Sequence, residues 1–272
     1  MTFRVRRPRA APIIALVRRD LLVGRAYWIS LAADLLFGLL NVAIYYFISE
    51  AVGKPNEASL GGAPTFFAFA AVGVAIVSVI GSASVGLARR VREEQLTGTL
   101  EAVVMQPLSA TELALGLGGY PFLLALARAA VYIVAANIAI GLGLSDADWL
   151  GFALVLLASA GVLVAIGVAM AAVVLVVKRA ETVLALIAFA LGFAAGAYFP
   201  RSTLPGPLEA IGGVLPTRFA FDGARSALFR GDGWGDDVLI LLLMGAVGLV
   251  AAMGLFVAGL AQTRRRGTLA RY

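Results

Sequence analysis

The chain has 272 residues, of which 61% are hydrophobic and 14% charged, with a mean hydropathy of +0.94 and a formal net charge of +6. Soluble domains are roughly half apolar or less, so this composition belongs in a lipid bilayer. Cysteine and histidine are both absent, which excludes disulfides, thiol chemistry, Cys or His metal sites and imidazole acid-base catalysis. A basic balance can signal nucleic acid, but here the arginines gather at the ends of apolar runs, so they read as topology signals and no nucleic-acid partner is expected.

Residues 1–25 are basic, with Arg4, Arg6, Arg7, Arg9, Arg18, Arg19 and Arg25. Arg18-Arg19-Asp20 interrupts the early apolar patch and no small-residue cleavage site follows it, so removal as a secretory signal is not expected. Pro12 instead opens a short helix with Ile13, Val17, Leu21 and Gly24 on one face and Arg18 and Arg25 on another. That geometry suits a helix lying in the headgroup layer, the alternative being a plain basic anchor. Crossing a bilayer takes about 20 predominantly apolar residues. Six stretches qualify, at residues 26–48, 65–87, 117–144, 149–177, 182–198 and 238–260, the fifth being short. None alternates with a period of two, so the expectation is an all-α membrane protein with six transmembrane helices.

Asp34 and Asn41 lie within the first predicted span, and Arg128 and Asn137 within the third. An ionisable group at depth costs about 2.5–3.5 kcal/mol and usually faces protein or water. Asp34 and Arg128 fall at similar depths, which predicts an ion pair or a hydrated vestibule lined by both. Between the second and third spans runs one compact polar segment, Arg89-Arg90-Val91-Arg92-Glu93-Glu94-Gln95-Leu96-Thr97-Gly98-Thr99-Leu100-Glu101, with Pro107-Leu108-Ser109 and Glu112 after it. Glycine costs about 1 kcal/mol inside a helix, so Thr97-Gly98 should break the second one. A small helix from Thr99 to about Met105 would end before Pro107, and Ser109 with Glu112 has capping-box spacing for the third span. Residues 88–112 therefore form a helical handle clear of the bilayer, suited to a soluble partner.

The fifth span carries Gly192-Phe-Ala-Ala-Gly196, a small-residue face that suits either a dimer interface or packing within the chain. Residues 199–237 are too polar to span and are punctuated by Pro200, Pro205, Pro207 and Pro216. Short amphipathic pieces at 208–214 and 218–229 would lie against the other helices, the alternative being a surface loop. Arginines and lysines crowd the amino-terminal segment, Arg89 to Arg92, Lys178-Arg179, and Arg264, Arg265, Arg266 and Arg271, all on one side after six crossings. Lys54, the Ser145-Asp146-Ala147-Asp148 turn and residues 199–237 occupy the other. The positive-inside rule then makes both termini and the handle cytoplasmic.

The run from Arg92 to Glu101, with Pro107-Leu108-Ser109 and Glu112, resembles the cytoplasmic loop of type 2 ATP-binding-cassette exporter permeases. Phe199-Pro200, Leu204-Pro205, Leu208, Leu215-Pro216-Thr217, Asp222 and Arg225 resemble that family's segment before the last span. The resemblance covers nearly the whole chain as a single transmembrane domain, 1–272. It implies an interfacial helix over 1–25, a cytoplasmic coupling helix within 88–112 and outer re-entrant short helices within 199–237. It further implies that Glu93, Glu94, Gly98, Thr99, Leu100 and Glu101 engage a separate ATP-binding subunit, present in two copies, with the glutamates meeting basic residues and Leu100 entering a groove. Pro200, Pro205, Pro216, Asp222 and Arg225 would close the outward end of the pathway, and Gly192 and Gly196 would stand at the seam with a second copy or a related permease. The setting implied is a bacterial plasma (inner) membrane. No phosphate-binding Gly-x-x-x-x-Gly-Lys-Ser/Thr loop is present, so this chain is not expected to be the ATPase or to hold a cofactor, and ATP and Mg would sit on the partner. The expected function is the membrane half of an ATP-driven exporter for an amphipathic, drug-like or lipid-linked cargo. Its competitors are an ion-coupled secondary carrier using Asp34 and Arg128, and a membrane-embedded enzyme, for which few acid-base groups exist.

Overall fold

The computed structural model describes residues 9–52, 60–99, 106, 108–177 and 181–265, and these are helical with no strand among them. The helices are α1 (Ala10–Ala26), α2 (Trp28–Val52), α3 (Phe66–Leu96), α4 (Ala110–Ala139), α5 (Trp149–Val176), α6 (Glu181–Ala194), α7 (Gly206–Val214), α8 (Pro216–Phe229) and α9 (Gly235–Arg265), with a 3-10 turn at Arg201–Thr203. Local chemistry sets their starts. The Thr65 hydroxyl accepts from the Ala68 amide at 3.1 Å to open α3, and the Asp148 carboxylate accepts from the Gly151 amide at 2.9 Å to open α5. At α4 the Ser109 hydroxyl accepts from the Glu112 amide at 3.1 Å while the Glu112 carboxylate accepts from the Ser109 amide at 2.7 Å, the reciprocal cap expected from the spacing. Ser109→Ala should therefore cost about 1 kcal/mol, read as a fall of roughly 2–4 °C in the unfolding midpoint. An unchanged midpoint would show that tertiary packing alone holds this terminus.

Among the described residues five helices are long and apolar enough to cross a membrane, Trp28–Ala51, Phe66–Leu96, Thr111–Ala139, Trp149–Val176 and Gly235–Thr263, joined by the shorter apolar helix Thr182–Ala194. The fifth predicted span is thus corrected. Its helix has 14 residues, about 21 Å at 1.5 Å per residue against a hydrocarbon core of about 30 Å. It stops because Gly196 turns the backbone at a φ of +84°, a conformation glycine adopts without a side-chain penalty. The third span also ends early, at Ala139, with Gly141 and Gly143 at φ values of +89° and +69°.

Contacts fix the direction of each helix. Phe69, near the start of α3, lies against Arg225 of α8, and Asp148, capping the start of α5, accepts from the Trp234 indole beside the start of α9. At the other end, Thr263 of α9 donates to the carbonyl of Leu175 in α5, so α5 and α9 run parallel. Leu87 and Val91 of α3, Leu113 and Leu117 of α4, Leu175 of α5 and Phe256 and Leu260 of α9 form one buried cluster at that end. The described start of the chain lies there too, where the Arg9 guanidinium reaches the Glu112 carboxylate at 3.1 Å. The α3–α4 loop and both described chain ends therefore share one end of the bundle, as the charge pattern requires.

α3 is the central strut, with the apolar stretch of its own helix 76% buried against 6% for α2. α5 and α9 form the most extensive pair. Gly161 and Gly245 permit it, since a Cβ at Gly245 would sit 3.1 Å from the Val162 amide nitrogen, the close backbone approach that small residues allow between membrane helices. α1 lies along α4, with Leu16 and Val17 filling the space left by Gly116 and Gly119. Of the α1 face expected to carry Ile13, Val17, Leu21 and Gly24, Leu21 is exposed, while Asp20 next to it is buried.

Candidate functional site

At the end of α3 the chain builds a buried charge junction. Asp20 of α1 is 1% exposed and accepts from Arg19 at 2.9 Å and from Arg90 of α3 at 3.1 Å. Arg19 also bridges to Glu94 at 2.8 Å, and Arg90 to Glu93 at 2.8 Å. Burial alone would pull the Arg19 guanidinium down, but the hydrogen bonds and charges of Asp20 and Glu94 outweigh it and hold it above its ordinary value. Glu94, itself 7% exposed, also accepts from the Thr99 hydroxyl. The Thr97 hydroxyl returns to the Glu93 carbonyl at 2.8 Å, and Gly98 turns out of the helix at a φ of +73°.

This arrangement redefines the predicted handle. Glu94 is committed to α1 within the chain and does not face outward, whereas Glu93 keeps a side chain 47% exposed. Leu100, Glu101, Val103, Met105 and Pro107, and with them the small helix itself, lie outside the described residues. So do Lys54, Lys178 and Arg179, the first eight residues and those after Arg265. Asp20, Arg19 and Arg90 were not singled out from the sequence as a junction. The available signal was an acidic residue on the same helical stripe as Ile13, Val17 and Gly24.

Along the bundle, α1, α2, α3, α4 and α6 line an open cleft of about 990 Å³ that runs from Arg90 and Glu93 of the junction to Asp34, Arg128 and Tyr198. The Arg128 guanidinium donates to the Asp34 carboxylate across it at 3.1 Å, and the Asp34 side chain is 58% exposed. The pair is thus brought together on a cavity wall, satisfying both halves of the expectation. Gly38 makes room for the Tyr132 hydroxyl, which a Cβ there would approach to 1.8 Å. Asn41 lines the same space, as do Phe189 and Tyr198, whose rings lie 6.1 Å apart, with Tyr45 stacked 5.8 Å behind Tyr198. Asn137 does not belong to the cavity. It sits two residues before the end of α4, its side-chain oxygen accepting from the Leu142 amide of the following turn at 3.1 Å.

At the opposite end, Pro200 precedes the 3-10 turn, Pro205 precedes α7 and Pro216 begins α8. Arg225 is 3% exposed and donates to the carbonyls of Gly196, Ala197 and Phe69 at 3.0, 2.9 and 3.3 Å, with its guanidinium 3.5 Å from the centre of the Phe69 ring. Burial pulls its pKa down to about 9. Asp222 accepts from Arg218 at 3.1 Å and from Arg201 at 3.4 Å. Gly192 and Gly196, expected at a seam between copies, are buried within the chain. A Cβ at Gly192 would meet Val77 of α3 at 3.2 Å, and Gly196 lends its carbonyl to Arg225. Their small faces serve internal packing because α6 ends against α3 and α8.

An apolar helical bundle, a polar junction at one end and a polar-lined cleft along it agree with a profile match over residues 12–229 to a family described as ABC-2 type transporter. The chain belongs to the ABC-2 type transporter family. No curated protein matches it at a significant level. As an ABC-2 transporter component it is a multi-pass membrane protein and the permease part of an ATP-binding-cassette transporter, which implies association with an ATPase subunit of that class.

Proposed function

We propose that this chain is the transmembrane half of an ATP-driven exporter in a bacterial plasma membrane. It pairs with a second copy, or with a related permease, and with two ATPase subunits that bind ATP and Mg and perform the hydrolysis. The observation that carries the reading is the junction at the end of α3, where Glu94 joins the loop residue Thr99 to Arg19 of α1. A subunit pressing on the loop after Thr99 at the cytoplasmic end would move α1 and α3 together, since Glu94 bonds both Thr99 and Arg19 and breaking that half-buried pair costs about 1–3 kcal/mol. Leu100 and Glu101, next in the chain, would meet that subunit, with Glu93 and Gly98 beside them.

The cleft supports an amphipathic cargo, because it sets aromatic rings beside two ion pairs, Asp34–Arg128 and Arg90–Glu93, and an asparagine. Export would end at the segment of α7 and α8. α6 stops short, and Arg225 holds the turn after it against Phe69 in the first turn of α3, so irregular backbone lies at helix depth where protein covers it. This favours re-entrant short helices that close the outward end. A second copy would pack on the exposed apolar faces of α2 and α6, which carry Phe37 and Leu186, 73% and 65% exposed.

The test is co-reconstitution of the chain with its ATPase in sealed vesicles. ATP-dependent movement of an amphipathic dye is expected, together with crosslinking to the ATPase from a single cysteine at Thr97 in this naturally cysteine-free chain. Movement driven by a proton gradient without the ATPase would instead support an ion-coupled carrier, the reading that the Asp34–Arg128 pair favours. Both groups lie within helices that can span a membrane, where Arg128 would lose its counter-charge, so Asp34→Asn should lower transport severalfold, by more than any fall in the unfolding midpoint accounts for. Equal losses of both would assign Asp34 a purely structural role.

A further inference from the structure

Opposite the charge junction, a second cavity of about 470 Å³ is lined by Arg201, Arg218, Arg225 and Arg230 together with Glu209, Asp222 and Asp237. Its cations and anions do not pair off. Arg201 and Arg218 share one oxygen of Asp222. Arg225 bonds carbonyls only, and its buried Nε has no acceptor among the described residues. Arg230 reaches the hydroxyl of Ser226. Neither Glu209 nor Asp237 makes an ion pair with an arginine among the described residues. Arg225 alone of the four is buried, Arg201 and Arg218 being half-buried and Arg230 exposed, and a buried charge is ordinarily neutralised by a partner because an uncompensated one loses hydration without gaining attraction.

Two glycines on separate loops show that the arginines are placed by construction. A Cβ at Gly62, where φ is +92°, would lie 2.7 Å from the Arg230 Cγ, and one at Gly196, where φ is +84°, would lie 2.8 Å from the Arg201 Cγ. Each glycine provides both the turn and the space through which an arginine stem reaches the cavity wall.

We propose that this cavity binds a phosphate group, carried by an anionic lipid headgroup or free in solution. Guanidinium forks match phosphate oxygens in pairs, and Ser202 and Ser226 add hydroxyls to the lining. The Asp222 carboxylate occupies the forks of Arg201 and Arg218 and therefore competes with the incoming anion. This site is separate from the central cavity, and its occupancy is measured without the ATPase, so its failure leaves the transport reading untouched and the converse also holds.

The experiment titrates the purified full chain, in a phosphate-free maltoside detergent, with inorganic phosphate at constant ionic strength and separately with short-chain phosphatidylglycerol, reading the unfolding midpoint and heat of binding. A saturable rise is expected with at least one probe. Response to inorganic phosphate assigns a free anion, and response to the lipid alone assigns a headgroup. Arg230→Gln and Arg201→Gln should each weaken the apparent Kd about tenfold, the size of one charge-assisted contact. Asp222→Asn should tighten it severalfold, an effect that a purely structural carboxylate would not produce. Arg18→Gln, on exposed α1 at the far end, should change nothing. Absence of a saturable response to both probes, weaker binding in Asp222→Asn, or an equal loss in Arg18→Gln would overturn the assignment.

Discussion

Gly73→Ala is expected to prevent the chain from reaching its native packing. A Cβ on Gly73 of α3 would lie 1.8 Å from the Ala197 carbonyl oxygen and 2.9 Å from the Arg225 guanidinium. The oxygen cannot retreat, because Arg225 holds it at 2.9 Å and Ala197 is fully buried. Ordinary overpacking costs about 1–3 kcal/mol when side chains can shift. Here the obstacle is pinned backbone, so a loss of at least about 3 kcal/mol is expected, or roughly 6–12 °C in the midpoint. Gly212→Ala should behave alike, its Cβ falling 1.9 Å from the Ala194 carbonyl oxygen. Gly254 supplies the contrast, with open space at its Cβ inside α9, so Gly254→Ala should be neutral or stabilise by up to about 1 kcal/mol. The readout is size-exclusion homogeneity with the midpoint. A Gly73→Ala chain as stable as the parent would show that α3 and the 195–197 turn do not touch.

Asp20→Ala is the second large effect, and it should fall on coupling. The carboxylate lies between Arg19 and Arg90, and removing it leaves two guanidinium groups facing each other. Breaking a fully buried pair costs about 3–5 kcal/mol, but the arginine side chains are 39% and 24% exposed, and solvent screening reduces the loss to about 1–3 kcal/mol. The chain should still fold and bind its ATPase. Transport per ATP hydrolysed should drop about tenfold or more, because α1 no longer follows the loop. A double-mutant cycle of Arg19→Gln with Glu94→Gln should give a coupling energy of about 0.5–3 kcal/mol, as expected for groups in contact. Additive losses, with transport and hydrolysis falling in parallel, would falsify the mechanical role of the junction.

Particular elements show which parts of this architecture were readable in advance. Thr65, Ser109 with Glu112, and the Thr97-Gly98 break act within four residues of chain, so their side-chain chemistry is written locally and the helix ends appear where the pattern puts them. The Asp34–Arg128 contact was readable because lipid leaves two opposite charges at one depth few other partners. Glu94 was misread as an outward contact. Its partner Arg19 lies 75 residues earlier, and no local pattern announces that a surface helix folds back over it. The face of Gly192 and Gly196 left a seam between copies and packing within the chain both open for the same reason, since a small-residue face serves any close neighbour and does not name which one.

Composition and the placement of charge along the chain determined that this protein lives in a membrane, where its helices begin, and which end of the bundle gathers its arginines. These properties follow from the transfer of each segment between water and lipid and from short-range capping, both of which act one segment at a time. The tertiary structure alone decided that α6 halts below full length, that Asp20 is buried between two arginines, and that four arginines meet in one cavity at the opposite end of the bundle. Those outcomes depend on which helices pack side by side, and a carbonyl held by Arg225 or a Cβ missing at Gly73 acts only once distant segments have met.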